Sequence, residues 1–205
     1  MSAKVAVLVY SLYGHQVTLS KQVEAGLKAA GVEYTTFQIE EILSEEVLTK
    51  MHANKSLTSD LPKIDPETLT QFDGFVICTG TRYGRVPASV SAFFDKTGGL
   101  WASGRLVGKL ATLVTSTASQ HGGAETTALT TVPFFAHHGI IFVPLGFTTP
   151  ELGKVDEIIG GSAYGAATIA GADGSLQPNE ADLKVAHHHG SHFGKTVAQF
   201  VAGRK

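Results

Sequence analysis

The sequence contains a single cysteine, Cys78, and no apolar run of eighteen residues or more. One cysteine excludes an intramolecular disulfide and is typical of proteins that work in a reducing compartment. The start M-S-A-K leads directly into a strand-like segment, so neither a signal peptide nor a membrane span is predicted. We therefore expect a cytoplasmic protein.

Charge of either sign is also scarce. Charged side chains make up 17% of the chain, and the formal net charge is −2. Such a chain lacks the strongly basic surface that attracts nucleic acid or an anionic membrane, so neither is expected as a partner. With 205 residues, of which 43% are hydrophobic, the simplest expectation is one globular domain over residues 1–205.

Short apolar runs bounded by turn residues predict buried strands, and helical patterns lie between them. This alternation predicts an α/β fold, a doubly wound parallel sheet with helices on both faces. We place its five strands at residues 4–10, 33–39, 74–79, 110–115 and 140–144. The main helices are predicted at residues 16–30, 88–96, 125–137 and 179–201, the last with Asn179 as its N-cap.

Two stretches depart from this rhythm and are predicted to be inserted loop regions. Residues 44–71 are polar and contain Pro62 and Pro66, which indicates short helices and loop. Residues 148–178 are glycine-rich and too long for an ordinary connection, which makes them a candidate functional loop.

Three loops follow the carboxyl ends of predicted strands, where doubly wound sheets bind their ligands. The first reads S-L-Y-G-H-Q-V, the one after the third strand T-G-T-R-Y-G-R-V-P, and the one after the fourth S-T-A-S-Q-H-G-G-A-E. Each combines hydroxyl groups, backbone exposed by glycine, and ring or amide side chains. We expect the three loops to line one crevice.

The first loop leads straight into a predicted helix, whose free N–H groups and dipole favour a phosphate. Ser11, Thr18 and His15 could add side-chain donors. The sequence has no G-x-x-x-x-G-K-[ST] motif, and no G-x-G-x-x-G opens the first helix. A phosphate held by hydroxyls and backbone therefore suits a mononucleotide better than a P-loop or dinucleotide ligand.

Several motifs carry a family resemblance. Y-S-L-Y-G-H, G-T-R-Y-G and F-F-D-K-T-G-G-L-W-A-S-G-R-L-V-G-K-L-A resemble the WrbA family, the flavodoxin-like NAD(P)H:quinone oxidoreductases. F-A-H-H-G-I-I-F-V-P-L-G and G-G-S-A-Y-G-A-A-T-I-A-G-A-D-G-S are similar to the same family. The resemblance runs in order along essentially the whole chain, including both irregular stretches, and it implies a flavodoxin-like fold.

The resemblance implies roles for individual residues. The phosphate of FMN would be surrounded by Ser11, Leu12, Tyr13, Gly14, His15, Gln16 and Val17. The flavin ring and ribityl chain would be lined by Thr81, Arg82, Tyr83, Ser116, Thr117, Ala118, Ser119, Gln120, His121 and Gly122. His137 would approach the flavin ring, while Tyr13 and Trp101 would flank the nicotinamide or quinone; these three are the candidate catalytic residues.

The loop after the fourth strand departs from the commoner bacterial pattern. Ala118 stands where a glycine is frequent, and Ala124 where a glutamine is frequent. The contacts expected from Ser119, Gln120 and His121 therefore have weaker support than those of the first loop.

The function that follows is FMN-dependent, two-electron reduction of quinones to hydroquinones by NADH or NADPH, with ping-pong kinetics. A histidine or tyrosine near the quinone could stabilise the charge that develops on its oxygens. The family also implies a homotetramer whose active sites neighbouring subunits complete. The residues leave open the choice between NADH and NADPH and the identity of the quinone.

The alternative is a flavodoxin-type electron carrier that docks on protein partners. Such carriers present a strongly acidic face, whereas this chain is nearly neutral. The segment around Trp101 and the long loop at 148–178 also exceed what a minimal carrier needs. A purely regulatory or scaffold role is a third possibility, but no basic surface supports DNA binding.

The run H-H-H-G-S-H, residues 187–192, raises the question of a metal site. His188 and His192 would share one helix face at i, i+4 spacing. No carboxylate or cysteine is suitably placed nearby in the sequence, and the resembled family needs no metal. We therefore expect a solvated helix face and no metal.

Overall fold

The computed structural model describes residues 2–204 and shows the predicted alternation of strands and helices. The strands are β1 (Lys4–Tyr10), β2 (Glu33–Gln38), β3 (Gly74–Gly80), β4 (Leu110–Thr117), β5 (Ile141–Phe142) and β6 (Ala167–Ile169). The helices are α1 (His15–Ala29), α2 (Glu45–Lys50), α3 (Ala88–Asp95), α4 (Gly98–Ala102), α5 (Ala124–His138) and α6 (Glu180–Gly203). Short 3₁₀ turns occur at Lys55–Thr58, Pro66–Gln71 and Pro150–Gly153.

The strands form one parallel sheet in the order β2-β1-β3-β4-β5, which confirms the predicted five-stranded parallel sheet. The fifth position is shared by two short segments. β5 pairs with the start of β4, at Leu110 and Ala111, and β6 pairs with its end, at Thr115–Thr117. The sheet therefore keeps its full width only because a second segment returns to the edge of β4.

Two predicted segments need correction. The strand predicted at 140–144 is reduced to two paired residues, and 148–178, predicted as loop, contains β6 and a 3₁₀ turn. β6 was missed because it has only three residues and because its pairing with β4 cannot be inferred from the local sequence. The polar stretch 44–71 forms short helices and loop, as predicted.

Helices cover both faces of the sheet because each central strand is apolar on both sides. In β1, Val5, Val7 and Val9 pack into the core under α1 and α6. Ala6 and Leu8 point to the opposite core, under α3 and α5. The period of two in a strand thus gives the doubly wound arrangement its two cores.

The last helix is joined to β6 through Asp182. Asn179 caps α6, as predicted, by accepting a hydrogen bond from the Asp182 backbone N–H at 2.8 Å. The Asp182 carboxylate accepts from the Gly160 N–H at 3.0 Å and from the Thr168 hydroxyl at 2.7 Å. Burial raises the pKa of this carboxyl group. These bonds hold β6 in place and so position the loop that follows it.

Candidate functional site

A cleft of about 660 Å³ lies at the carboxyl ends of the strands. The loops after β1, β3, β4 and β6 line it, and it lies where the strand order reverses between β1 and β3. Of the residues implied for FMN, the structure brings twelve to this lining: Ser11, Leu12, Tyr13, His15, Gln16, Thr81, Arg82, Tyr83, Ser116, Thr117, Ala118 and Gly122. A cleft of this size is typical of sites for small molecules and cofactors.

The loop after β1 presents an open helix terminus. Gly14 is the N-cap of α1 with φ +93°, a conformation that a glycine adopts readily, and its N–H donates to the Ser11 hydroxyl at 3.0 Å. Among residues 2–204, no side chain caps the helix, and its first turn contains no acidic residue. The N–H groups of this turn have no partner within the helix, so they can bind an anion.

His15, predicted as a phosphate donor, makes a hydrogen bond to another segment of the chain. Its ring is buried, and Nε2 lies 2.9 Å from the carbonyl oxygen of Leu176. Because a carbonyl only accepts, Nε2 carries the proton and donates it. His15 therefore ties the loop after β1 to the segment after β6, and closes that side of the cleft.

Tyr13 lies at the rim of the cleft. Its side chain is 43% exposed, and its hydroxyl donates to the Met51 carbonyl at 3.1 Å. The Asn54 N–H donates to the carbonyl of Leu12 at 2.8 Å. The segment from α2 to the following 3₁₀ turn thus contacts the first loop and leaves the Tyr13 side chain partly exposed.

The loop after β3 is a tight hairpin. The backbone groups of Arg82 and Arg85 bond to each other in both directions, at 2.8 and 3.1 Å, with Tyr83 at φ +55° and Gly84 at φ +75° between them. Positive φ at both central positions is the geometry of a type I′ turn. Thr81 anchors the hairpin, since its hydroxyl accepts from the Gly84 N–H at 3.2 Å. The Tyr83 ring is consequently held fully exposed at the tip.

Only the beginning and the end of the loop after β4 line the cleft. The Thr117 hydroxyl donates to the Ser119 carbonyl at 2.7 Å and folds the loop back on itself. Ser119, Gln120 and His121 are exposed and lie outside the lining, whereas Gly122 returns to it. The three contacts with the weaker support in the sequence therefore lie outside the cleft of this chain, whereas Ala118, which stands where a glycine is frequent, lines it.

Four further residues named from the family resemblance lie outside the lining within this chain. They are Gly14, Val17, Trp101 and His137. Trp101 lies in α4 with 57% of its side chain exposed, and His137 is exposed at the carboxyl end of α5. A hydrogen bond of 2.9 Å between Thr97 and His138 joins the start of α4 to the end of α5. Two of the three candidate catalytic residues, Trp101 and His137, thus belong to adjoining elements outside the cleft of their own chain.

Sequence reasoning missed part of the lining. Residues 170–174 after β6 border the cleft, as do Tyr10, Met51, His52, Gly80 and Pro87. Burial raises the pKa of Tyr10, whose hydroxyl donates to Glu41 at 2.9 Å. The family motif at 160–175 could have indicated residues 170–174, but β6 was not predicted, so this segment was not recognised as a loop at the end of a strand.

The histidine run needs a partial correction. His189, expected on a solvated face, is buried: its Nδ1 accepts from the Ala166 N–H at 3.1 Å and its Nε2 lies 2.7 Å from the Thr112 hydroxyl. His188 and His192 do stack on one face, with ring centroids 6.3 Å apart. Within residues 2–204, no group of three or more metal-ligating side chains is present.

The strand order 2-1-3-4-5 and a ligand cleft at the reversal point define a flavodoxin-like α/β protein. A WrbA-like flavodoxin from Agrobacterium tumefaciens superposes with a TM-score of 0.64 at 20% identity, covering 97% of this chain and 99% of that one. Residues 3–151 match the NADPH-dependent FMN reductase family, and the chain belongs to this family.

Curated relatives cover nearly the whole chain. A quinone-oxidoreductase of Triphysaria versicolor is 46% identical over 94% of both chains. An NAD(P)H quinone oxidoreductase of Candida albicans is 42% identical over 96% of this chain and 97% of that protein. Among the described residues, no helix is both long and apolar enough to cross a membrane.

Proposed function

We propose that this protein is an FMN-dependent NAD(P)H:quinone oxidoreductase of the WrbA type, which reduces quinones to hydroquinones by a ping-pong mechanism. The observation that carries the proposal is the cleft at the reversal point, where an uncapped helix terminus faces loops lined with hydroxyl and aromatic groups. The quinone oxidoreductases with 42% and 46% identity support the substrate class.

The residues of the cleft fit FMN. The open first turn of α1 and the Ser11 hydroxyl suit a phosphate, and the 660 Å³ cleft has room for a ring between the loops after β3 and β4. Bound FMN supplies hydride acceptance from a nicotinamide and two-electron delivery to a quinone. Thr81, Arg82 and the loop at 116–118 would hold the ring and the ribityl chain.

Tyr13 positions the reacting molecule. Its ring lies at the rim, and the bond from its hydroxyl to Met51 fixes its orientation. An aromatic face offers a stacking surface to either nicotinamide or quinone. Because both reactants use the same surface, one must leave before the other binds, which is the structural basis of the ping-pong order.

His137 and Trp101 would act across subunit boundaries in a homotetramer. Both are exposed and lie outside the cleft lining of their own chain. Val107 and Leu129 add exposed apolar side chains, as an interface of this kind needs. In such an assembly Trp101 would stack on the reacting molecule, and His137 would hold a proton near the quinone oxygens. We place this tetramer in the cytoplasm, where a buried free cysteine stays reduced.

The proposal is tested with purified protein loaded with FMN. We expect a yellow protein that oxidises NADH or NADPH only when benzoquinone is present, with parallel lines in double-reciprocal plots. Sedimentation should give four subunits. FMN binding without quinone-dependent oxidation of either nucleotide would favour an electron carrier instead and would refute the enzyme.

Replacing Trp101 with alanine is expected to lower kcat/KM for benzoquinone about fivefold, since an aromatic contact contributes on the order of 1 kcal/mol. Steady-state kinetics at saturating NADH would measure it. The matched control is Val155→Ala, at an exposed apolar position outside the cleft lining, which should leave the kinetics unchanged. Equal kinetics for Trp101→Ala and the wild type would remove Trp101 from the active site.

A further inference from the structure

Gln16 carries a buried side-chain amide without hydrogen bonds. Only 1% of the residue is exposed, and within residues 2–204 neither Nε2 nor Oε1 has a partner. The one other buried side-chain atom in this condition among those residues is Nδ1 of His138. Buried polar groups in native proteins are almost always paired, because an unpaired one is costly. A partner that binds from outside the chain would explain why this amide is present.

The position of Gln16 indicates what that partner is. It is the second residue of α1 and lines the cleft, in the same turn as the uncapped N–H groups. The segment from Ser11 to Val17 contains no lysine or arginine. An anion at this terminus therefore meets neutral donors, and an amide N–H that donates to an anion makes a stronger bond than one that donates to a neutral group.

We propose that the Gln16 amide reads the phosphate of a phosphate monoester: Nε2–H donates to a phosphate oxygen, and Oε1 accepts from a hydroxyl of the attached polyol chain. This rests on the proposed function, in which the ligand is FMN. The Ser11 hydroxyl already accepts from the Gly14 N–H, and the remaining donors at the terminus are backbone groups. Gln16 is therefore the unpaired buried side chain that couples phosphate binding to the stability of the empty protein.

If so, Gln16 lowers the stability of the flavin-free protein and raises its affinity for FMN. Gln16→Met conserves length and approximate volume but removes the unpaired amide. The flavin-free variant should therefore unfold about 2–4 °C higher than the flavin-free wild type. FMN affinity should fall about tenfold, since a charge-assisted hydrogen bond is lost. Riboflavin, which lacks the phosphate, should lose clearly less affinity.

The experiment titrates full-length flavin-free protein with FMN and with riboflavin by flavin fluorescence, and measures Tm with and without each ligand. Gln199→Met, at an exposed position of α6, is the matched control and should change neither affinity nor Tm. A variant with unchanged or lower Tm would show that the amide is already paired in the empty protein. Equal losses for FMN and riboflavin would show that it does not read the phosphate. Either result overturns the proposal.

Failure of the proposed function gives a different result. If the wild type binds no FMN, the flavoenzyme assignment is wrong, and inorganic phosphate then serves as the probe. Phosphate should raise the Tm of the wild type and of Gln199→Met, and should raise that of Gln16→Met clearly less. Equal Tm increases in all three proteins would reject Gln16 as a phosphate ligand.

Discussion

Replacing Gly190 with alanine is expected to lower the free energy of unfolding by about 3 kcal/mol, the upper range for overpacking a core. A Cβ at Gly190 would lie 2.2 Å from the carbonyl oxygen of Val23, and one at Gly26 would lie 2.1 Å from that of His187. These contacts are with backbone, which cannot rotate away. Helices α1 and α6 can approach this closely only because both positions lack a side chain.

The same helix contains the control. A Cβ at Gly203 would meet no atom within 4 Å, so Gly203→Ala should leave the stability within about 1 kcal/mol of the wild type, or raise it through helix propensity. Urea denaturation of both variants measures the difference. Similar stabilities for Gly190→Ala and Gly203→Ala would show that the two helices can separate without loss.

The second large effect is an acid-dependent loss of stability from His189. Nδ1 accepts from the Ala166 N–H, so the proton is on Nε2, which donates to the Thr112 hydroxyl; that hydroxyl in turn donates to the carbonyl of Val143 at 2.9 Å. This network requires a neutral ring. Burial, aided by the charges of His192 and His188, lowers the pKa of His189 from 6.5 to about 3.

The direction of the pH dependence follows from this shift. Between pH 6.5 and about 3 the unfolded chain binds a proton at His189 that the folded protein does not bind. The stabilisation is therefore fully present above pH 6.5 and declines as the pH falls toward 3. Each pH unit in this window removes about 1.4 kcal/mol, on the order of 5 kcal/mol in total.

Urea denaturation from pH 7.5 to pH 4.5 would measure this slope. His189→Gln should be less stable at neutral pH but should lack about 1.4 kcal/mol per unit of the wild-type slope. His187→Gln, at an exposed position of the same run, should retain it. A wild-type slope in His189→Gln would assign the acid sensitivity to other groups.

The strands that the sequence predicted best are those with continuous apolar runs. Predicted residues 4–10 coincide with β1, and 74–79 and 110–115 differ from β3 and β4 only at the carboxyl ends. Burial on both faces makes such strands visible from local sequence alone. β6 was missed because its pairing depends on β4, which precedes it by fifty residues, rather than on its own three residues.

For the candidate site, too, the sequence predicted some features and not others. The loops after β1, β3 and β4 could be assigned from the sequence, since parallel strands bring their carboxyl ends to one edge of the sheet. The hydrogen-bond partners of individual side chains could not be assigned in this way. The hydrogen bond from His15 to the Leu176 carbonyl was not predicted, and His189, expected in solvent, is buried against Thr112.

By itself, the sequence determined the α/β class, the strand ends that form the cleft and the resemblance to flavodoxin-like quinone oxidoreductases, because apolar periodicity and local motifs are carried by neighbouring residues. Only the tertiary structure decided which polar groups are paired. It joined His15 to a segment 161 residues away, and it left the Gln16 amide without a partner beside the open end of α1. Hydrogen bonds between distant segments depend on how the complete fold positions those segments, and this cannot be inferred from the local sequence.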